Sequence, residues 1–351
     1  MGQIKFIHPG LLTTVQDGGR YGSQQYGVPL SGAIDSFAHR VSNILVGNDD
    51  FEAALEITMM GPKIQALDDT VIAITGGDLS PTLNGQTMPM WQSIYIHKGD
   101  VIEFSGLKSG CRSYISFAGG IDVPVVMGSK STYVKANLGG YEGRAFIIGD
   151  SIKLSNKENK LVELSNRRIP SEYIPIYEKE IEVRVILGPQ EDYFTENGIR
   201  TFLTSEYTVT NECDRMGYRL EGPLIEHKQG ADIISDGIAF GAIQIPGHGR
   251  PIIMMADRQT TGGYTKIANV ISIDLPKIAQ AKPGDKVVFR KIDTIDAQRL
   301  LVEYENSLRY LRTACSLRKI INTRNWNIKV NGVWYQVKTE EIEHVAKGTL
   351  K

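Results

Sequence analysis

Short apolar runs of strand length, several alternating strictly with polar residues, dominate the chain. Between Phe51 and Gly120, "FEAALEITMM", "TVIAITGG", "QSIYIHKGD", "DVIEFSG" and "CRSYISFAGG" follow one another, each ending in turn residues. A two-residue period bounded by glycine or aspartate predicts half-buried strands. "IKFIHPG" and "LLTTVQD" predict two more, broken by His8-Pro9-Gly10, and "TLNGQTM" carries Asn84-Gly85, the strongest local hairpin signal. A second series follows a polar stretch: "EIEVRVILGPQ", "MGYRLEG", and strands packed around glycine turns from Ala231 to Leu275. Within it, "EDYFTENGIRTFLTSEYTVT" reads as a short helix and a strand. "GSKSTYVKANLGGYEGRAF" has little periodicity and predicts a long ordered loop.

Helical spacing is clearest in two places. In "DSFAHRVSNILVG", Phe37, Val41, Ile44 and Leu45 share a face, Asp35 or Ser36 caps the start and Gly47 stops it. "DTIDAQRLLVEYENSLRYLR" is amphipathic, and a hairpin around Asn331-Gly332 follows, with Trp334 and Val337 in strand positions. The polar, charged stretch from Asn156 to Glu178, with Pro170 and Pro175, predicts a domain boundary. The expected division is a β domain over 1–160, a second over 176–292, and a helix-hairpin appendage over 293–351. "HKGDVIEFSG" and "KPGDKVVFRK" echo one another, each placed to supply the last strand pair of a barrel.

Composition narrows the function classes. Glycine is abundant, 36 of 351 residues, which suits strands, tight turns and bulges. The formal charge of -1 points to no nucleic-acid or anionic-membrane partner. Cys111, Cys213 and Cys315 are far apart with no paired spacing, and read as reduced thiols. Without a signal-like start or a long apolar run, the expected location is the cytoplasm. Neither "GGDLS" nor "GLKSG" has phosphate-loop spacing, and the six histidines are scattered, so no metal is expected.

Three loops hold candidate chemistry. "VQDGGRYG" sets Arg20 in a glycine-rich turn, either as a fork for a carboxylate or in an internal pair with Asp17. "GVPLSGAID" offers Ser31 near a helix start, as an anion contact or as a cap. "PIIMMADRQTTGGY" places Asp257, Gln259 and Thr261 just past an apolar strand, with Gly262 and Gly263 leaving room for a ligand. A structural network joining two strands explains the same residues. His248, between glycines, reads as an exposed turn residue and a candidate base, although a lone turn histidine usually is not one. The residues alone describe a two-domain, β-rich protein with a small-molecule site and no named reaction.

Long blocks carry a resemblance that short motifs cannot. "GLLTTVQDGGRYG…GVPLSGAIDSFAHRVSNILVGN", "ALEITMMGP", "ITGGDLSPTLNG", "RSYISFAGGIDVPVVMGSKSTYVKANLGGYEGR", "DRMGYRLEG" and "GAIQIPGHGRPIIMMADRQTTGGYTKIANVISIDLPKIAQAKPGDKVVF" resemble the bacterial 5-oxoprolinase C-subunit family across residues 5 to 290. This family is also called allophanate hydrolase subunit 2-like or biotin-dependent carboxyltransferase. The resemblance implies a mainly β fold of two cyclophilin-like β-barrel domains with short helices. It implies partners like the A and B subunits of 5-oxoprolinase, in an ATP-dependent complex that opens 5-oxo-L-proline to L-glutamate. The module is also similar to the carboxyltransferase domain of urea carboxylase, which moves a carboxyl group from carboxybiotin to urea. A close relative antagonises a B-subunit-like inhibitor of a sensor histidine kinase. By position in these blocks, the expected site-lining residues are Arg20, to orient a substrate carboxylate, with Ser31 beside it, Gln259 and Thr261, to donate to a carbonyl, and Asp257, to position a nucleophile or its proton. No Met-Lys-Met attachment sequence is present, so any biotin arrives on another protein.

Overall fold

The structure is a computed structural model that describes residues 2–155, 161–316 and 319–343. Residues 156–160 of the expected boundary and 317–318 and 344–351 of the expected appendage lie outside the described residues.

The first half forms two open sheets. One has seven strands in the order Ile121–Asp122, Ser151–Leu154, Gln3–His8, Lys63–Ala66, Val101–Phe104, Pro81–Leu83 and Gln86–Thr87. The other has five: Leu12–Gln16, Ala54–Thr58, Ser109–Phe117, Thr70–Asp78 and Ser93–Ile96. Their facing apolar side chains, among them Ile4, Phe6, Leu55, Ile57, Ile72 and Ile115, form one core.

Only the second half closes into a barrel. Its seven strands run Glu180–Leu187, Lys266–Val270, Ala242–Gln244, Ile252–Met254, Gly217–Glu221, Glu206–Cys213 and Lys286–Lys291, the last pairing in parallel with the first. The expectation of two barrels is therefore corrected to one barrel and a pair of open sheets. Loops take the place of closing strands at both edges of the five-stranded sheet. At Leu12–Gln16, Thr132 N donates to Val15 O (2.9 Å) and Phe146 N to Thr13 O (3.1 Å). At Ser93, the amide donates to Arg167 O (2.8 Å) and the carbonyl accepts from Asn166 N (2.9 Å). Covering an edge this way satisfies its backbone without another strand. The echo between the two Gly-Asp motifs marks similar turns, but Val101–Phe104 lies inside an open sheet whereas Lys286–Lys291 closes the barrel.

The Ser36–Leu45 helix begins where the Asp35 carboxylate accepts from Ala38 N at 2.9 Å, so Asp35 is the cap. Its buried face lies on the five-stranded sheet, where Thr75 Oγ1 donates to Ala38 O at 2.6 Å. The Thr294–Ser316 helix returns from the barrel to the same layer: Leu308 and Leu311 join that core, and Arg40 holds Glu305 at 2.6 Å. The Lys319–Val330 and Val333–Glu343 strands form the expected hairpin, with Trp326 and Trp334 exposed.

A polar seam joins the halves. Gln280 Oε1 accepts from Cys111 N and Arg112 N, both at 2.9 Å, while Nε2 donates to Asp35 Oδ2 (2.7 Å) and Arg112 O (2.9 Å). All four hydrogen-bonding positions of one amide are used between helix, sheet and barrel. Burial pushes the Asp35 carboxyl up to about 6, against the Ala38 amide and Gln280, which favour its charge. A carboxyl raised in the folded state binds protons more tightly there, so its stabilising contribution is complete below about pH 4 and lost as pH rises through 6. Asp35→Asn retains a capping side chain and has no ionisation to lose. Its unfolding free energy relative to wild type is expected to improve by about 2–3 kcal/mol between pH 4 and pH 7. Urea unfolding across that range checks this; a pH-independent difference would contradict it.

Candidate active site at the junction of the two halves

The glycine-rich opening is a shaped loop clamped onto a second loop. The Asp17 carboxylate accepts from Gly19 N (2.8 Å), Ser129 Oγ (2.7 Å), Lys130 N (2.6 Å) and the Ser131 hydroxyl. Gly32 has φ +81°, and a Cβ there would lie 2.9 Å from the Gly19 backbone, so the loop closes only without side chains at this crossing.

The clamp buries Arg20 completely. Of the two readings of Arg20, the internal pair with Asp17 does not form: Arg20 Nε donates to Val126 O (3.0 Å) and Nη2 to Ser131 O (2.8 Å). Its Nη1 is buried with no hydrogen-bond partner. Burial lowers the Arg20 pKa, while the charges of Asp17 and Asp257 oppose that shift. Ser31 is not the helix cap. It takes the left-handed backbone (φ 54°), donates its amide to Ala256 O at 3.1 Å, and keeps a buried hydroxyl without a partner.

The barrel supplies the opposing side. Just past the Ile252–Met254 strand, the Asp257 amide donates to Arg215 O (2.8 Å), and its carboxylate accepts from Arg215 Nε (2.8 Å) and Nη2 (3.0 Å). Arg215 continues across the seam, with Nη1 to Glu56 Oε1 (2.5 Å) and Nη2 to Gly32 O (2.8 Å). Glu56 Oε2 accepts from Ile34 N (3.0 Å) and from the Tyr114 hydroxyl (2.7 Å), which accepts from Asp35 N (2.9 Å). Burial alone would raise Glu56, but Arg215 and Arg112 hold its carboxyl below the ordinary range.

Of the residues expected from sequence, the fold brings Arg20, Ser31 and Asp257 to this junction. Gln259 and Thr261 are exposed, and Thr261, Gly262 and Gly263 lie on the Thr261–Tyr264 strand, which pairs with Asp232–Gly237 in a two-stranded sheet separate from the barrel. His248 is exposed on its turn and accepts from Arg250 N (3.2 Å). Glu56, Tyr114 and Arg215 escaped sequence reasoning, although all three lie in its quoted blocks. The signal for Glu56 was an acid in the apolar run "ALEIT". The larger of the two described clefts, about 460 Å³, opens elsewhere, between Asp78, Met88, Trp91, Lys108 and Tyr177. Among the described residues no His, Cys, Asp and Glu group is arranged to hold a metal ion, and the three thiols are free. No described helix is long and apolar enough to cross a membrane.

Residues 26–291, which include Ser31, Glu56, Arg215 and Asp257, match the family described as the carboxyltransferase domain, subdomain A and B. The chain belongs to this carboxyltransferase family. The domain is 34% identical over 290 residues to the C subunit of 5-oxoprolinase from Escherichia coli, covering 82% of this chain and 90% of that protein. It is 38% identical over 303 residues to the urea amidolyase of Saccharomyces cerevisiae, covering 82% of this chain but only 16% of that longer protein. The crystal structure of Kluyveromyces lactis urea carboxylase superposes with a TM-score of 0.83 at 30% identity, over 97% of this chain and 32% of the other. K. lactis urea amidolyase gives the same TM-score of 0.83, over 88% and 20% of the two chains.

Removing the guanidinium from the carboxyltransferase domain's seam leaves Glu56 and Asp257 buried together. Arg215→Leu is expected to destabilise the chain by about 3–5 kcal/mol, the usual cost of breaking a buried ion pair from one side. Urea denaturation at neutral pH measures it, and a loss below about 1 kcal/mol would show that the pairs are not buried in solution.

Proposed function

We propose that the junction is a carboxyl-transfer site for a small amide, with the carboxyl group supplied on biotin carried by another polypeptide. The observation that carries this reading is the pairing of a rigidly held carboxylate, Asp257, with two buried unpartnered polar groups, Arg20 Nη1 and Ser31 Oγ. Biotin, when bound, would supply a carboxyl group on its ureido nitrogen. Its ureido oxygen fits the unpartnered donors: both are buried, fixed by backbone contacts, and lack an acceptor.

Arg20 and Ser31 hold a carbonyl oxygen by hydrogen bonds worth more out of water than in it. Asp257, fixed by a bidentate guanidinium, keeps lone pairs to accept an N–H of the acceptor amide. That contact orients the amide nitrogen and favours charge redistribution towards it. Both Asp257 oxygens already accept from Arg215, so in this reading the carboxylate acts by orientation and field.

A second reading has its own support. The E. coli relative matches this chain over 90% of its length and is one subunit of a 5-oxoprolinase, whereas the yeast enzyme is several times longer. Under that reading the amide is the lactam of 5-oxo-L-proline, and the chain works with A-like and B-like partner proteins in ATP-dependent ring opening.

One assay separates the two: the full chain with a carboxylated biotin carrier and urea, against the full chain with its A-like and B-like partners, ATP and 5-oxo-L-proline. The proposal expects urea-dependent loss of carboxyl from the carrier. Glutamate formation instead, with an inert carrier, would replace it by the second reading. In the active mixture, Asp257→Asn should lower turnover about 10- to 150-fold, the equivalent of one charge-assisted hydrogen bond, without unfolding the chain.

A further inference from the structure

The hairpin that follows the Thr294–Ser316 helix lies outside residues 26–291, the part of the chain that matches the carboxyltransferase family. Among the described residues its strands pair only with each other, and every residue from Arg324 to Val337 is exposed. The register sets Trp326 opposite Val337, Ile328 opposite Tyr335 and Val330 opposite Val333. Strand alternation puts these six on one face, with Arg324 at its far end. Asn327, Gln336 and Lys329 share the other face with Trp334, whose ring lies 5.4 Å from Lys329 Nζ.

An isolated two-stranded hairpin is marginal in water, and this one turns a continuous apolar face towards it. The six side chains are 36% to 54% exposed. At full areas of about 150–250 Å² each, they leave about 500 Å² uncovered, towards the upper end for the largest patch on a monomer. The polar atom of the largest is already satisfied: Trp326 Nε1 donates to Thr339 Oγ1 at 2.8 Å. The indole can therefore be covered without leaving a buried donor unpaired.

We propose that this face joins two copies of the chain, hairpin on hairpin, about a twofold axis at the Ile328–Tyr335 pair. The rotation lays the two hairpins end for end. The bulky Trp326–Val337 pair of each copy then covers the small Val330–Val333 pair of the other. Arg324 of each copy falls beyond the other's Asn331-Gly332 turn and stays in water. Hairpins laid in the same direction would instead set Trp326 on Trp326 and Arg324 on Arg324, stacking bulk on bulk and like charge on like charge. The six residues carry no charge, so nothing in the face selects an acidic or basic partner, whereas a second copy matches it in length and size. Two such faces bury about 1,000 Å², the lower limit for a specific interface, which places the dimer at micromolar concentrations or above. Two packed sheets also supply the second layer that the lone hairpin lacks.

Sedimentation velocity of the full chain tests this over about 1 to 300 µM, the range such an interface should span. The chain should pass from monomer to dimer and no further. Ile328→Lys, at the centre of the face, should weaken association at least tenfold. Asn327→Lys makes the same change in charge one residue away on the opposite face, and should shift it less than twofold. A second readout needs no variant that could disturb the hairpin: wild-type tryptophan emission should move to shorter wavelength as the dimer forms, because Trp326 leaves water. A wild-type chain that stays monomeric throughout overturns the proposal, and leaves the face to a different partner. So does a dimer that survives Ile328→Lys, is lost equally in Asn327→Lys, or forms without the emission shift. A discrete species larger than a dimer overturns the closed twofold arrangement.

Discussion

The site depends on one buried guanidinium. Arg215 is almost fully enclosed and meets Asp257 from the barrel, Glu56 from the five-stranded sheet and the Gly32 carbonyl from the clamped loop. Taking such a charge out of water costs several kcal/mol, and only well-placed carboxylates offset it. Neither half alone supplies both. The position of Asp257 is thus tied to the packing of sheet against barrel, and Gln280 and Asp35 hold the same seam a short distance away.

Much of the secondary structure was legible because strand and helix periods are local. The Ser36–Leu45 helix, the Asn84-Gly85 hairpin and the barrel strands stand where alternation and turn residues place them. Closure was not legible. It depends on which edges meet, and at Val15 and Ser93 loops occupy edges that a barrel would have paired with strands. The repeated Gly-Asp turn carries no information about that choice.

The residues gathered at the candidate site were only partly legible, for a related reason. Arg20, Ser31 and Asp257 stand out as polar residues in glycine-rich loops or just past an apolar strand. Glu56 does not: between Leu55 and Ile57 it reads as the water-facing member of an alternating strand. In the fold that face is covered by Tyr114, Ile34 and Arg215, so the polar side of the strand is buried too. The cluster offers fixed charges and buried unpartnered polar groups, the features on which the proposed amide site rests.

The proposed amide site implies that Glu56 acts on the chemistry through Arg215, at one remove from the substrate. A double-mutant cycle of Glu56→Gln and Asp257→Asn, read in turnover on whichever amide substrate proves active, tests this most directly. The account predicts a coupling above about 1 kcal/mol, since each carboxylate sets the position of the guanidinium that holds the other. Additive effects within about 0.5 kcal/mol would contradict it, and would reduce Glu56 and Arg215 to structural cement between the halves.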